Sequence, residues 1–463
     1  MVDSDVVAYY ANRQVAARVR EYCGVSVGDV PGAVYLATLD PADDPHRTWE
    51  TPRRFPVDAL PSLLAGSDDI ARSLWDTRHL VWLIDLDHQN VDFPAHPFLR
   101  PDETFAALEP TFQAVHAVCR ELDLPVLSVM TGRGYHFTGV IPLTDPVVEH
   151  LGGLAPSTPR WWFTHERRRA PWMEAPLPEW QARAHAGLGL VTEYFAHLVL
   201  DRAAPASPIP VTVNGTIVGA GPRGRETVSL DFSHFGDPLD VRQFRVCFGA
   251  YQWHRLRPDI FGPAAAALPA LVALPRDRES PKTMLRRGRG PRVALAKAAL
   301  AHARLPEVAA GVGRLVERYE ASALAAFHQQ FYGERGGAAT FDAAPPCVTW
   351  CLEQPNDRLL KPEHLQHLVR WGLASGCSAR QLADAVLRRY EADHNWGDRW
   401  RRLEPRTRAE FDVRVFAGFV ATGDDRLTDF NCVSAQEKEL CPRVGCPHDL
   451  RRDRTRLAGG SAR

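Results

Sequence analysis

The segment that most constrains this chain is Leu80-Val-Trp-Leu-Ile-Asp85-Leu-Asp87, an apolar run that closes on two carboxylates at i and i+2. Read as a strand, it sends alternate side chains to opposite faces, so Asp85 and Asp87 converge at its end. Converging carboxylates are hard oxygen ligands suited to Mg²⁺ or Mn²⁺. A second short site follows in Ser128-Val-Met-Thr131-Gly132-Arg133-Gly134-Tyr-His136-Phe137, where a strand runs into a glycine-bearing turn. Arg133 and His136 on such a turn suit phosphate. A divalent-metal site facing a phosphate site is the minimum equipment for nucleotidyl transfer.

The intervening residues bring the two sites together. Phe105, Leu108, Phe112, Val115, Cys119 and Leu122 recur at i+3/i+4 spacing, which predicts an amphipathic helix over 102–122. A right-handed crossover through that helix places Val126–Met130 in the sheet, parallel to the Asp-x-Asp strand and ending at the same edge. His88, beside the acid pair, reads as a solvated group or one hydrogen-bonded behind the ligands. A hairpin is expected at Asn214-Gly215.

In this order, the Asp-x-Asp strand and the Thr-Gly-Arg-Gly-x-His turn resemble the archaeo-eukaryotic primase superfamily, which includes primase small subunits and primase-polymerases. The resemblance covers most of residues 70–256. It implies an α/β (α+β) catalytic domain with a mixed sheet and a third acid on a later strand, which Thr227-Val-Ser-Leu-Asp231 supplies. It implies that Asp85, Asp87 and Asp231 hold two Mg²⁺ or Mn²⁺ ions. Thr131, Gly132, Arg133, Gly134 and His136 would bind the nucleotide, the glycines letting backbone approach the phosphates. The segment from Phe244 to His254 is similar to one that carries a basic triphosphate contact. Arg245 fits that role, His254 aligns more loosely, and Cys247 stands where the family has proline. The activity implied is DNA-dependent priming or primer extension on single-stranded DNA from NTPs or dNTPs. A helicase or another replication protein is a candidate partner.

Of nine cysteines, Cys432, Cys441 and Cys446 cluster with prolines that stiffen their loop. Such thiols read as soft-metal ligands in a reducing compartment. Cys347, in Pro345-Pro-Cys347, is the best fourth, with Cys351 and His448 as substitutes. The distribution is similar to the iron–sulfur domain of primase large subunits, which implies a [4Fe–4S] cluster; Zn²⁺ would use the same thiolates. The helical residues between, around Leu359–Gly376 and from Ser378, extend that likeness. In the family such a domain helps to grip the template and the 5′ end of the initiating strand.

Composition leaves the partner open, because the net charge is only −1. Basic residues do concentrate in Arg276–Arg292, read as a flexible linker that either tracks a phosphate backbone or stays solvated. Trp400 among the arginines of 399–408, and Trp161 and Trp162 near Arg167–Arg169, are candidates for stacking on bases. The expected organisation is a catalytic domain over 1–272 with a proline-rich insertion near 150–185, a basic linker over 273–295 and a helical bridge over 296–340. A mainly helical, cysteine-ligated metal domain over 341–450 and a disordered tail over 451–463 follow. With no signal peptide and no apolar span of membrane length, a cytoplasmic protein without membrane contact is expected. Two other readings stay open: a catalytically inactive primase-like protein that binds nucleic acid or nucleotide in regulation or defence, and a polymerase that extends primers without initiating them.

Overall fold

The computed structural model describes residues 3–25, 32–38, 52–165, 177–277, 279–341, 343–353, 361–391, 404–425, 427–442 and 446–460. In chain order the strands among them are β1 (Leu36–Thr38), β2 (Arg53–Phe55), β3 (Ile70–Ser73), β4 (His79–Asn90), β5 (Leu127–Met130), β6 (Gly134–Pro142), β7 (Val211–Val213), β8 (Glu226–Asp231), β9 (Gln243–Arg245), β10 (Ala250–Tyr251), β11 (Leu271–Val272) and β12 (Leu274–Pro275). The fold is mixed α/β. Its main sheet has the order β12-β5-β6-β4-β8-β7 and is itself mixed: β7 and β8 are parallel and the other neighbours antiparallel. A second, antiparallel sheet has the order β2-β1-β3-β9, and β10 pairs with β11.

Strand β4 is central, and its alternation decides the layering. Leu80, Trp82, Ile84 and Leu86 point to one face and are buried. Helices Pro101–Glu121 and Glu179–Ala203 cover that face. Trp82 Nε1 donates to Thr192 Oγ1 at 3.1 Å, and its ring meets Phe195 edge-on at 5.1 Å. Phe112 lies 4.6 Å from the Tyr135 ring and 5.4 Å from that of Phe137. The helical stripe expected from the periodicity is the buried one: Phe105, Leu108, Phe112, Val115 and Cys119, with Leu122 just past the end. Each large apolar side chain removed from water there contributes roughly 1.5–3 kcal/mol. Asp85 and Asp87 belong to the opposite face.

Several sequence expectations need correction. Strand β5 runs parallel to β4, but β6 lies between them, because Thr131–Arg133 closes a β5–β6 hairpin. Asn214-Gly215 joins no hairpin: both residues have positive φ, yet β7 is parallel to β8, and residues 216–225 carry the chain back to the start of β8. The basic segment read as a flexible linker is built into the fold. Leu274–Pro275 pairs with β5, Pro281–Arg287 and Pro291–Ala298 are helices, and Arg276 and Arg289 are buried. Arg276 is held by both oxygens of Glu109 at 2.8 Å and lies 3.7 Å over the Phe112 ring. Burial in an ion pair and a cation–π contact explains why a basic run need not be solvated. The tail read as disordered forms a helix, Leu450–Gly460, anchored by buried Leu450. Trp161 is buried and Trp162 partly so, whereas Arg167–Arg169 and Arg399–Arg402 with Trp400 lie outside the described residues.

The later helices are not separate from the rest, since one hydrophobic core extends from Val6 to Leu450. Helix Pro405–Thr422 delivers Arg414 to Glu193 of helix Glu179–Ala203, with Nη2 2.9 Å from Oε2. The same guanidinium donates to the Tyr332 hydroxyl at 2.7 Å, and His328 Nε2 lies 3.2 Å from the other Glu193 oxygen. Burial pushes the Glu193 carboxyl up, but Arg414 first and then His328 outweigh it and hold it at about 2. Arg414→Ala leaves a buried carboxylate without its main partner, so denaturant unfolding of that variant is expected to show a loss of about 3–5 kcal/mol.

Candidate functional site

The register of β4 with its two neighbours assembles the site. Asp85 pairs with His136 of β6 on one side and with Asp231 of β8 on the other. Directly opposed residues in antiparallel strands share a face, so Asp231, Asp85 and His136 form one row across three strands. Asp87 follows two residues on, opposite Gly134 and Ser229. The structure therefore brings together all three expected acids and His136.

His136 Nε2 lies 3.6 Å from Asp85 Oδ1. That oxygen and His136 Nδ1 are both buried and have no hydrogen-bond partner among the described residues. Asp87 Oδ2 is held by Arg133 Nη2 at 2.5 Å, and Asp231 Oδ1 accepts from the Ser233 amide at 2.7 Å. Burial, then the Asp87 charge, then the Asp231 charge push the Asp85 carboxyl well above the usual carboxylate range. Burial, reinforced by Arg245 and Arg133, lowers His136 to about 3, so its imidazole is neutral at physiological pH. The group is thus a carboxylate cluster that resists full ionisation on its own, with one oxygen lacking any donor. A divalent cation is the partner such a donor set fits.

The turn carrying Arg133 is fastened from inside the protein. Thr131 Oγ1 accepts from the Gly134 amide at 3.1 Å, and the Thr131 amide donates to the Gly134 carbonyl at 2.8 Å. Arg289, which sequence reasoning assigned to the linker, donates to the carbonyls of Thr131 and, at 3.5 Å, Gly132. Its guanidinium lies 4.9 Å over the Phe105 ring, and burial lowers it to about 10. The two glycines have internal reasons too. A Cβ on Gly132 would meet the Tyr251 ring at 2.3 Å, and one on Gly134 would meet the Leu86 carbonyl at 1.8 Å. Close packing against Tyr251 and β4 is by itself a reason for glycine at both positions.

Arg245 faces this side of the sheet from β9. Its Nε and Nη2 bind Asp69 at 2.8 and 3.0 Å, and it stacks 4.1 Å over Tyr251. Its charge reaches Asp85 and His136. His254 belongs to a small aromatic cluster: it stacks on Phe98 at 4.9 Å, and its Nε2 lies 3.3 Å from the Pro269 carbonyl. Burial lowers it to about 4. These contacts are those of a packed residue behind Tyr251.

A second assembly lies among the later helices. Cys347 and Cys351 are one turn apart on helix Pro346–Glu353. Burial raises the Cys347 thiol, and Cys441, Cys351 and Cys432 raise it further, which makes these four sulfurs neighbours. Cys432 Sγ accepts from the Leu450 amide at 3.5 Å, and Cys446 Sγ from the His448 amide at 3.4 Å. His367 Nε2 lies 3.0 Å from Cys347 Sγ, and His364 Nδ1 3.1 Å from Cys351 Sγ. Sequence reasoning missed both histidines. The signal was their i, i+3 spacing on one helix, which places them on one face.

No protein-family model matches the chain, and no curated protein matches it in sequence. Among solved structures, the polymerase domain of Mycobacterium tuberculosis Ligase D, in complex with DNA, is similar over 69% of this chain and 92% of its own. The identity is 15% and the TM-score 0.29, a likeness too slight to carry an argument. Among the described residues no helix is long and apolar enough to cross a membrane.

Two outcomes follow from the acid row. A carboxyl raised on folding disfavours the native state where it must ionise, above its folded value, and ceases to do so below the ordinary carboxylate range. Metal-free Asp85→Asn is therefore expected to melt ~1–3 °C above the parent protein near neutral pH. The difference should vanish in acid, as thermal scans across pH would show. Gly134→Ala should separate β6 from β4 and lower stability by roughly 2 kcal/mol or more, read by denaturant unfolding.

Proposed function

We propose that this protein is a DNA-dependent nucleotidyltransferase of the primase-polymerase kind, making short primers on single-stranded DNA, extending them, or both. The observation that carries the reading is the row Asp231–Asp85–His136 across β8, β4 and β6, with Asp87 and Arg133 beside it. Motif order in the sequence, and the likeness to primases it bears, support the same reading.

Asp85, Asp87 and Asp231 would hold Mg²⁺ or Mn²⁺, for which the orphaned Asp85 Oδ1 and the shared carboxylate face are suited. When bound, such ions lower the pKa of an attacking 3′-hydroxyl and offset charge on the departing pyrophosphate. The chain's own groups supply the rest. Arg133 is anchored to Asp87 and offers its remaining guanidinium donors to the β- and γ-phosphates of an NTP or dNTP. His136, neutral in its buried position, donates a hydrogen bond without adding charge. Arg245, fixed by Asp69 and Tyr251, acts as a stationary positive charge facing the site. Thr131, Gly132, Gly134 and Arg289 keep the turn in place.

Cys347, Cys432, Cys441 and Cys446, with Cys351 as a possible replacement, would hold a [4Fe–4S] cluster or Zn²⁺. Amide donors aimed at Cys432 and Cys446 suit thiolate sulfur in either case. By the primase likeness this region would grip the template and the 5′ end of the new strand. Iron, sulfide and zinc contents of anaerobically purified protein are expected to show iron and sulfide in equal amounts; zinc alone would assign the other metal.

The function is tested by synthesis on bare single-stranded DNA with labelled NTPs or dNTPs and Mn²⁺ or Mg²⁺. Short products are expected, falling by about 1000-fold or more in Asp85→Ala/Asp87→Ala. Products from a supplied primer alone would restrict the protein to extension. No product in either format, from folded metal-loaded protein, would overturn the proposal in favour of nucleotide or nucleic-acid binding. Cys432→Ala is expected to abolish priming and spare extension; loss of both would make the thiol group structural.

A further inference from the structure

The alternation that sends Asp85 and Asp87 to one face of β4 sends His88 to the other. There it meets Glu226 of β8 and His96 of the short helix His96–Leu99. Among the described residues, these three form the group whose ligand atoms all lie within 4.8 Å of one another, a condition that neither the carboxylates nor the thiols meet. His88 Nε2 is 2.6 Å from Glu226 Oε1, and the two imidazoles stack at 5.2 Å with 27° between their planes. His88 and Glu226 are buried, and His96 is 11% exposed at its side chain.

The surroundings are those of a prepared ligand set. Arg223 Nε holds the outer oxygen of Glu226 at 2.8 Å, leaving Oε1 turned to the histidines. Thr104 Oγ1, fully buried, fixes His96 through Nδ1 at 3.0 Å and leaves Nε2 on the side of Glu103, 3.5 Å away. Partners of this kind fix ring orientation in metal sites. His88 turns Nε2 to Glu226, while its Nδ1 is buried with no hydrogen-bond partner among the described residues. Glu103 and Glu226 against the single Arg223 guanidinium leave an excess of negative charge when the imidazoles are neutral.

We propose that His88, His96 and Glu226 bind a transition-metal ion, with Zn²⁺ the best match, and that Glu103 or water completes the coordination. Two imidazoles and a carboxylate are borderline ligands that suit Zn²⁺ over Mg²⁺. Tetrahedral bonds of roughly 2.0–2.1 Å require ligand atoms about 3.3 Å apart, so the 2.6 Å His88–Glu226 pair would widen and the wider pairs, all within 4.8 Å, would close by at most about 1.5 Å. The ion would be structural. It would clamp the start of helix Pro101–Glu121 and the segment before it to the ends of β4 and β8. The His88 amide donates to the Arg133 carbonyl at 3.1 Å, so the clamp would also steady the turn that carries Arg133.

The test uses the full chain, stripped with chelator and re-equilibrated with Zn²⁺ in excess Mg²⁺, which occupies the carboxylate site. Bound zinc is counted by mass spectrometry in the parent protein, His96→Ala and Glu226→Gln. His96→Gln replaces His96→Ala if that variant does not fold. The thiols contribute equally to all, so the parent is expected to hold one more zinc per chain than any variant. It should also show a zinc-dependent rise in Tm that the variants lack. Cobalt substitution should add d–d bands without new thiolate charge transfer. Affinity at this site should fall by about 100-fold or more in each variant. Equal zinc content and equal thermal response in parent and variants would overturn the proposal.

Discussion

The antiparallel registration of β4 with β6 and β8 is the constraint on which the rest of the structure depends. Because side chains alternate, one choice of register sends Trp82, Ile84 and Leu86 beneath two helices and aligns Asp85 with His136 and Asp231. A slip of one residue on β4 would place the acids in the apolar layer and the tryptophan against charge. The hydrophobic cost of that slip is far larger than any preference among the carboxylates. The acid cluster, which is unfavourable in isolation, is thus held in place by packing on the opposite side of the same strand.

Electrostatics of the acid face then follow from what surrounds it. Three carboxylates share one face, and the nearest cations are already engaged, Arg133 by Asp87 and Arg245 by Asp69. The protein neutralises Asp87 but leaves Asp85 with an unmet oxygen and a neutral imidazole. Burial and its acidic neighbours hold Asp85 toward its protonated form, so a cation on this face would let it ionise beside arginines whose positions are fixed by other contacts. Charges fixed in this way need little rearrangement to meet an opposite charge.

Much of this was legible in the residues themselves. The Asp-x-Asp strand and the amphipathic helix express short-range periodicity, and the glycine-bearing turn expresses local turn chemistry; both survive without knowledge of tertiary contacts. The third acid was not visible that way. Asp231 closes an ordinary strand, and only the primase likeness singled it out. Partnerships between distant residues were beyond reach: Arg276 with Glu109, Arg289 with Thr131, and Arg414 with Glu193 turn apparent surface charge into interior structure. Asn214-Gly215 has the chemistry of a hairpin turn, but that chemistry fixes local φ and not which strand lies beside which. His88 was misjudged for a simpler reason. The same period of two that paired Asp85 with Asp87 groups His88 with Leu86 on the buried face, and it was not applied one residue further.

Gly134 has a consequence for how chains of this type diverge. A Cβ there would lie 1.8 Å from the Leu86 carbonyl, so the position is closed to every other amino acid while the two strands stay paired. That restriction comes from steric fit and is indifferent to chemistry. A descendant would keep this glycine for as long as it kept the sheet, whereas Asp85, which packing does not require, is free to change without loss of the fold. In a family tree the glycine would trace ancestry of the fold, and the aspartates the separate history of the site it carries.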